Sequence, residues 1–193
     1  MRRPASVVLG LTIALVLLPA CSDDGGGDGG AAPAVTPGTY VKSLCTSVQS
    51  YVDDITTLST DFAAGIDPAA SADEQKQAVL DFLDDAIALT DRLIEQVDAA
   101  GVPDVEGGAA MVEAIAASFQ DAREVLEAAR GRVETASTED PQAFAAELNE
   151  VGATIQSSLG GIGGSLDLVE SPELAAAAED EPTCAALAGA AVG

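Results

Sequence analysis

Apolar residues recur at intervals of three and four over four separate stretches of this chain. Val41, Leu44, Val48, Tyr51, Ile55, Leu58 and Phe62 trace one face of a helix, with Asp53, Asp54, Thr56, Thr57 and Asp61 on the other. Thr36-Pro37 or Thr39 supplies its start. A second stripe runs through Val79, Phe82, Leu83, Ala86, Leu89, Leu93, Val97 and Ala100. It opens on Ser71-Ala72-Asp73-Glu74, a capping box in which serine and glutamate satisfy free amides reciprocally. It ends at Gly101-Val102-Pro103, where glycine supplies a left-handed cap and proline prevents continuation.

The third stretch spans about Gly107 to Ala136, with Met111, Ile115, Phe119, Ala122, Leu126, Ala129 and Val133 inward. The fourth opens on Asp140-Pro141, an N-cap followed by proline at the first helical position. Phe144, Leu148, Val151, Ile155, Leu159, Ile162, Leu166 and Val169 carry its rhythm. Ser171-Pro172 then starts a short alanine-rich helix to about Ala178, and the last residues are expected to be loosely ordered. No strand pattern competes. Short connections favour antiparallel neighbours, so the expected fold is all-α: an antiparallel up-down four-helix bundle with a short extra C-terminal helix, over residues 39–188.

One stretch strains this pattern. Gly160, Gly161, Gly163 and Gly164 lie inside the fourth stripe, at a cost of ~3–4 kcal/mol relative to alanine. Gly160 and Gly164 are four apart, as are Ser157, Gly161 and Ser165, so small residues line one flank and let a neighbouring helix approach closely. Close packing, a kink and a ligand flank all remain open readings of these glycines. A phosphate cradle is not among them, because neither the lysine nor the strand of a P-loop accompanies them.

The residues before the first stripe change character abruptly. Arg2 and Arg3 precede an apolar run from Val7 to Leu18, followed by Leu18-Pro19-Ala20-Cys21. The run is shorter than the ~20 residues a membrane-spanning helix needs and has the layout of a secretory signal over residues 1–20. Leu18-Pro19-Ala20-Cys21 resembles a bacterial lipobox, which implies that the Cys21 thiol carries a diacylglyceryl group and anchors the mature chain. Residues 21–38, rich in glycine and aspartate, bury too little to fold and are expected to form a tether with a reach of roughly 20–25 Å.

With Cys21 lipidated, Cys45 and Cys184 are the remaining pair in an oxidising compartment. In an up-down bundle the first helix begins at the pole where the fourth ends, so the fold brings the two together as a disulfide. Closing so long a loop contributes up to ~5 kcal/mol.

Charge and composition narrow the function. Of 193 residues, 32 are acidic and 8 basic; without residues 1–20, six basic residues face the same 32 acids. Such a surface repels nucleic acid, so none is expected as a partner. Arg123, Arg130 and Arg132 gather on the third helix, where pairing of Glu127 with Arg123 and Arg130 is expected. The chain has no histidine, which removes Ser-His and Cys-His nucleophilic pairs and His-ligated zinc. Asp81, Asp84 and Asp85 fall on one turn as a solvated face rather than a buried acid–base cluster. No cofactor, metal site or enzymatic activity is expected.

Leu18-Pro19-Ala20-Cys21, the Gly/Asp tether, the Ala/Asp/Val-rich helices and the terminal Pro182-Thr183-Cys184 with Leu187 resemble the small exported lipoproteins of actinobacteria. The resemblance implies lipid anchoring to the outer face of the plasma membrane and no particular activity. The missing catalytic chemistry together with the anchor makes contact with an envelope protein partner the leading expected role; the alternative is carriage or sensing of a small apolar ligand between the helices near the glycine-rich flank of Leu159 to Leu166.

Overall fold

The computed structural model of the protein describes residues 33–67, 69–159 and 171–190. The signal segment 1–20, Cys21 and Gly160, Gly161, Gly163 and Gly164 lie outside these residues. The described chain is mostly helical.

Helix α1 (Pro37–Gly65) starts where Thr36 caps it: the Thr39 amide donates to Thr36 Oγ1 at 3.3 Å, and Pro37 fills the first turn. Tyr40, Val41 and Leu44 are buried, and Val48, Tyr51, Ile55, Leu58 and Phe62 are half-buried along the same face. Helix α2 (Ala72–Ala99) carries the capping box in both directions, with the Ser71 amide donating to Glu74 Oε2 at 2.8 Å and the Glu74 amide donating to Ser71 Oγ at 3.3 Å. It buries Leu83, Ala86, Thr90, Leu93 and Val97, and Gly101 follows in the left-handed conformation at φ 83°.

Helix α3 (Gly108–Thr135) buries Ile115, Ala116, Phe119, Ala122, Leu126, Ala129 and Val133. Helix α4 (Pro141–Leu159) is capped by Asp140, whose Oδ1 accepts from the amides of Gln142 at 3.0 Å and Ala143 at 3.2 Å. It buries Phe144 and Val151. Each fully buried Leu, Ile, Val or Phe contributes about 1.5–3 kcal/mol.

The ends of the domain depart from expectation. Residues 33–38, assigned to the tether, take regular structure. Strand β1 (Ala34–Val35) pairs in parallel with β2 (Val102–Pro103), Ala34 opposite Val102. The Val102 amide donates to the Pro33 carbonyl at 3.0 Å and the Asp104 amide to that of Val35 at 2.9 Å. Two residues are too few for a periodic signal, and their pairing depends on the turn after α2. At the other end, one short helix was expected and two form: α5 (Pro172–Asp180) and α6 (Pro182–Ala190). The second includes Cys184, in a segment expected outside any helix; the amides of Cys184 and Ala185 donate to the Glu181 carbonyl at 3.1 and 3.2 Å.

Neighbours in sequence are neighbours in space: α1 packs on α2, α2 on α3 and α3 on α4, while α5 and α6 pack on α1 and on each other. Buried residues form two clusters. One joins Tyr40, Val41 and Leu44 to Leu93, Val97, Ala100, Ile115, Phe119 and Leu174. The other joins Leu83 and Ala86 to Leu126, Ala129, Val133 and Val151. Between α1 and α2, Tyr51 bonds Thr90 at 3.3 Å and the rings of Phe62 and Phe82 lie 4.7 Å apart. Thr90 donates its one proton to the Ala86 carbonyl at 2.9 Å, so Tyr51 is the donor to Thr90.

Candidate functional site

The start of α1 meets α5 and α6 at the pole where β1 and β2 also pair. Ser171 positions α5, its hydroxyl accepting from the Leu174 amide at 3.4 Å and donating to Glu173 Oε2 at 2.8 Å. That contact holds the Glu173 carboxyl below its ordinary range. Leu174, 1% exposed, projects from the same turn into the cluster with Tyr40, Val41 and Leu44. Cys45 and Cys184 are joined as a disulfide with Cα atoms 5.2 Å apart, which fixes α6 against α1.

These elements enclose a pocket of about 250 Å³. Val41, Leu44 and Val48 of α1, Leu174 and Ala178 of α5 and Leu187 of α6 line it, with the disulfide in its wall. No charged side chain contributes to the lining. Such an apolar concavity between helices has the character of a small-ligand site, just under the usual range of about 300–1,000 Å³.

Tyr40 borders this pocket and is 1% exposed. Its hydroxyl has no hydrogen-bond partner among the described residues. Burial pushes its pKa up to about 12, because the phenolate would lose hydration without a compensating donor. Tyr40 is therefore a neutral, apolar-facing ring at physiological pH, not a base or nucleophile.

A broader cleft of about 530 Å³ lies between the start of α3 and the start of α5. Glu106, Ser171 and Glu173 make its lining more polar, and the pair of carboxylates gives it no feature that selects an apolar ligand. Gly108 forms part of its floor, where a Cβ would stand 2.3 Å from the Pro103 carbonyl oxygen.

Asp81, Asp84 and Asp85 go to separate contacts. Asp84 pairs with Arg130, Asp81 accepts from Gln77 Nε2 at 2.7 Å, and Asp85 lines a shallow surface depression with Asp54 and Arg92. Among the described residues, no group of three or more His, Cys, Asp or Glu side chains is placed to hold a metal ion.

The arginines of α3 are occupied. Arg123 bonds Asp91 of α2 and pairs with Glu127 at 3.0 Å, the one intrahelical pair of the expected set that forms. Arg130 takes Glu134 at 3.0 Å and Asp84 of α2 in place of Glu127. Arg132 reaches Glu147 at 2.7 Å and Glu150 at 3.1 Å on α4. The adjacent carboxylates hold all three guanidiniums further into their charged range. These cations fasten α3 to its neighbours and leave no anion-binding patch there.

Cys45 and Cys184 were legible from the sequence and meet in the structure; Cys21 and the four glycines lie outside the described residues. The pocket was not legible, since its lining comes from three helices, one of them unexpected. No helix among the described residues is long and apolar enough to cross a membrane. No protein-family model, curated protein or solved structure matches the chain.

Proposed function

We propose that this protein is an exported, non-enzymatic lipoprotein, anchored through Cys21 on the outer face of a bacterial plasma membrane, that carries or senses a small apolar ligand. The ligand occupies the pocket between α1, α5 and α6. One observation carries this: about 250 Å³ of space lined by Val41, Leu44, Val48, Leu174, Ala178 and Leu187, without a charged group. The anchor is supported by the Leu18-Pro19-Ala20-Cys21 sequence behind an apolar run. Contact with an envelope protein is the weaker role on this surface. Among the described residues, the large apolar side chains that are exposed are Val52 and Ile66, at 37% and 41%.

The same proposal takes the helices as an antiparallel up-down bundle. Paired contacts support it: Tyr51 meets Thr90 while Phe62 meets Phe82, so partners descend α2 as they ascend α1. Asp91 with Arg123, Asp84 with Arg130 and Lys76 with the Ala136 carbonyl run in opposite senses along α2 and α3. The contacts of Arg132, near the end of α3, with Glu147 and Glu150 in the first half and middle of α4 support the same sense for that pair.

Titration of the full chain with N-phenyl-1-naphthylamine, an uncharged apolar fluorophore, tests the ligand site. Saturable enhancement that Ala178→Phe abolishes, with the melting temperature retained, is the expected result. Non-saturable enhancement, or enhancement indifferent to that substitution, rejects it. For the anchor, Cys21→Ser is expected to release the protein into the medium; retention at the membrane rejects lipidation as its hold.

A further inference from the structure

The pocket lies at the pole where the chain enters the domain. Pro33 and Val35 are hydrogen-bonded to the turn after α2, and Val35 packs against the cluster that contains Tyr40, Leu44 and Leu174. Gly101 makes this docking close: a Cβ there would stand 2.7 Å from the Pro33 carbonyl oxygen. Pro33 therefore stands at the pole where α1 begins and the pocket lies, not at the opposite end of the helices. Twelve peptide steps separate Cys21 from Pro33, so a lipid-anchored Cys21 keeps this pole within about 40 Å of the bilayer surface.

Size and charge narrow the occupant. At about 30 Å³ per methylene, close to the volume share of a water molecule, about 250 Å³ seats roughly eight carbons. That is part of one hydrocarbon chain, with no room for a headgroup. The headgroup stays outside the pocket, on a protein in which 32 acidic residues face 8 basic ones. A surface of this sign repels an anionic headgroup.

We infer that the pocket takes one acyl chain of a membrane lipid with a net-neutral headgroup, drawn from the bilayer to which the protein is anchored. This rests on the apolar-ligand reading of the pocket and adds the source and headgroup class of the ligand. A lipid entering from the same membrane meets the pocket at the concentration set by the anchor, so a shallow site suffices where capture from water would need a deeper one.

Photo-crosslinking of the full chain tests it. Protein made in a lipoprotein-processing bacterium is reconstituted into phosphatidylcholine vesicles that contain a phosphatidylcholine with a diazirine near the end of one acyl chain. After illumination, adducts are mapped by peptide mass spectrometry. Adducts within the first turns of α1 and in α5 and α6 are expected, reduced about tenfold by Ala178→Phe and, as a second variant, by Val48→Phe. Each variant is checked for an intact disulfide and a cooperative melt.

Adducts confined to the N-terminal peptide, equal yields in a folded variant, or a chain that does not remain with the vesicles overturn the inference. The same diazirine on phosphatidylglycerol is expected to label several-fold less at low salt, and equal labelling overturns the headgroup class. An alkane diazirine added from water separates the two levels. Labelling of the pocket by the alkane but not by the lipid overturns the membrane source and leaves the apolar site standing. Labelling by neither removes both.

Discussion

Cys45 and Cys184 are separated by 139 residues in sequence and by 5.2 Å between Cα atoms. Their bond closes nearly the whole domain into one loop and holds α6 on α1. Loss of the bond in Cys45→Ser/Cys184→Ser, or its reduction, is expected to lower stability by about 3–5 kcal/mol. Hydrogen exchange should then rise first in α6, which packs on α1 and α5. Unchanged urea midpoints after verified reduction would show that the helices hold without the bridge.

The Tyr40 hydroxyl is buried and unpartnered among the described residues. Tyr40→Phe is therefore expected to raise stability at pH 7 by about 1 kcal/mol, because no hydrogen bond is lost and a desolvation penalty is removed. The pKa, raised by burial from 10.0 to about 12, makes the folded state hold a proton that the unfolded state releases. Stability from this group is complete below pH 10 and is lost as pH rises towards 12, a change of roughly 2–3 kcal/mol. Urea melts at pH 7 and pH 11 should show that alkaline loss in the parent and much less of it in Tyr40→Phe. A Phe variant weaker at pH 7 would mean that the hydroxyl has a partner.

Among the described residues, two glycines stand where a side chain has no room. Gly101 combines φ +83° with a virtual Cβ 2.7 Å from the Pro33 carbonyl oxygen, and Gly108 has one 2.3 Å from that of Pro103. Alanine at either position should cost about 1–3 kcal/mol and loosen the β1–β2 pairing. Gly131, inside α3, has open space where its Cβ would stand, so Gly131→Ala should stabilise by about 0.5–1 kcal/mol. Thermal melts of the three variants test these opposite signs together.

The capping box makes a pH-dependent contribution at the start of α2. Bonds from the Ser71 amide, and then from its hydroxyl, hold the Glu74 carboxyl below its ordinary 4.5. A lowered carboxyl pKa adds stability above pH 4.5 that disappears as pH falls through the lowered value. Glu74→Gln should flatten the acid side of the melting-temperature profile between pH 3 and 6. Ser71→Ala should cost about 1 kcal/mol at neutral pH by freeing the Glu74 amide. A Gln variant with the parent's acid profile would assign that sensitivity to other carboxylates.

Stripe positions such as Val41, Leu44, Leu93, Val97, Ile115, Phe119, Leu126 and Val133 are all buried, because a 3.6-residue period gathers them on one side whatever the neighbour. Helix starts at Thr36, Ser71 and Asp140 were equally readable, since each cap uses only residues within one turn. The burial of Thr90, a polar residue, was not, nor was its bond to Tyr51 of another helix. Arg130 prefers Asp84 of α2 and Glu134 to Glu127, and only helix register decides between them. Helix α6 escaped notice because its sequence is apolar on all sides and shows no period; Glu181 and the bond to Cys45 fix it instead.

The sequence alone therefore determined the long helices and the caps at Thr36, Ser71 and Asp140, which follow from local chemistry and periodicity. Tertiary structure alone decided which arginine meets which carboxylate and where Pro33–Val35 docks. It also decided that α1, α5 and α6 leave an apolar space beside that docking point. Such features join residues of different elements, from Arg132 and Glu147 to Val41 and Leu187, and no periodicity within one helix specifies the distance or register between two.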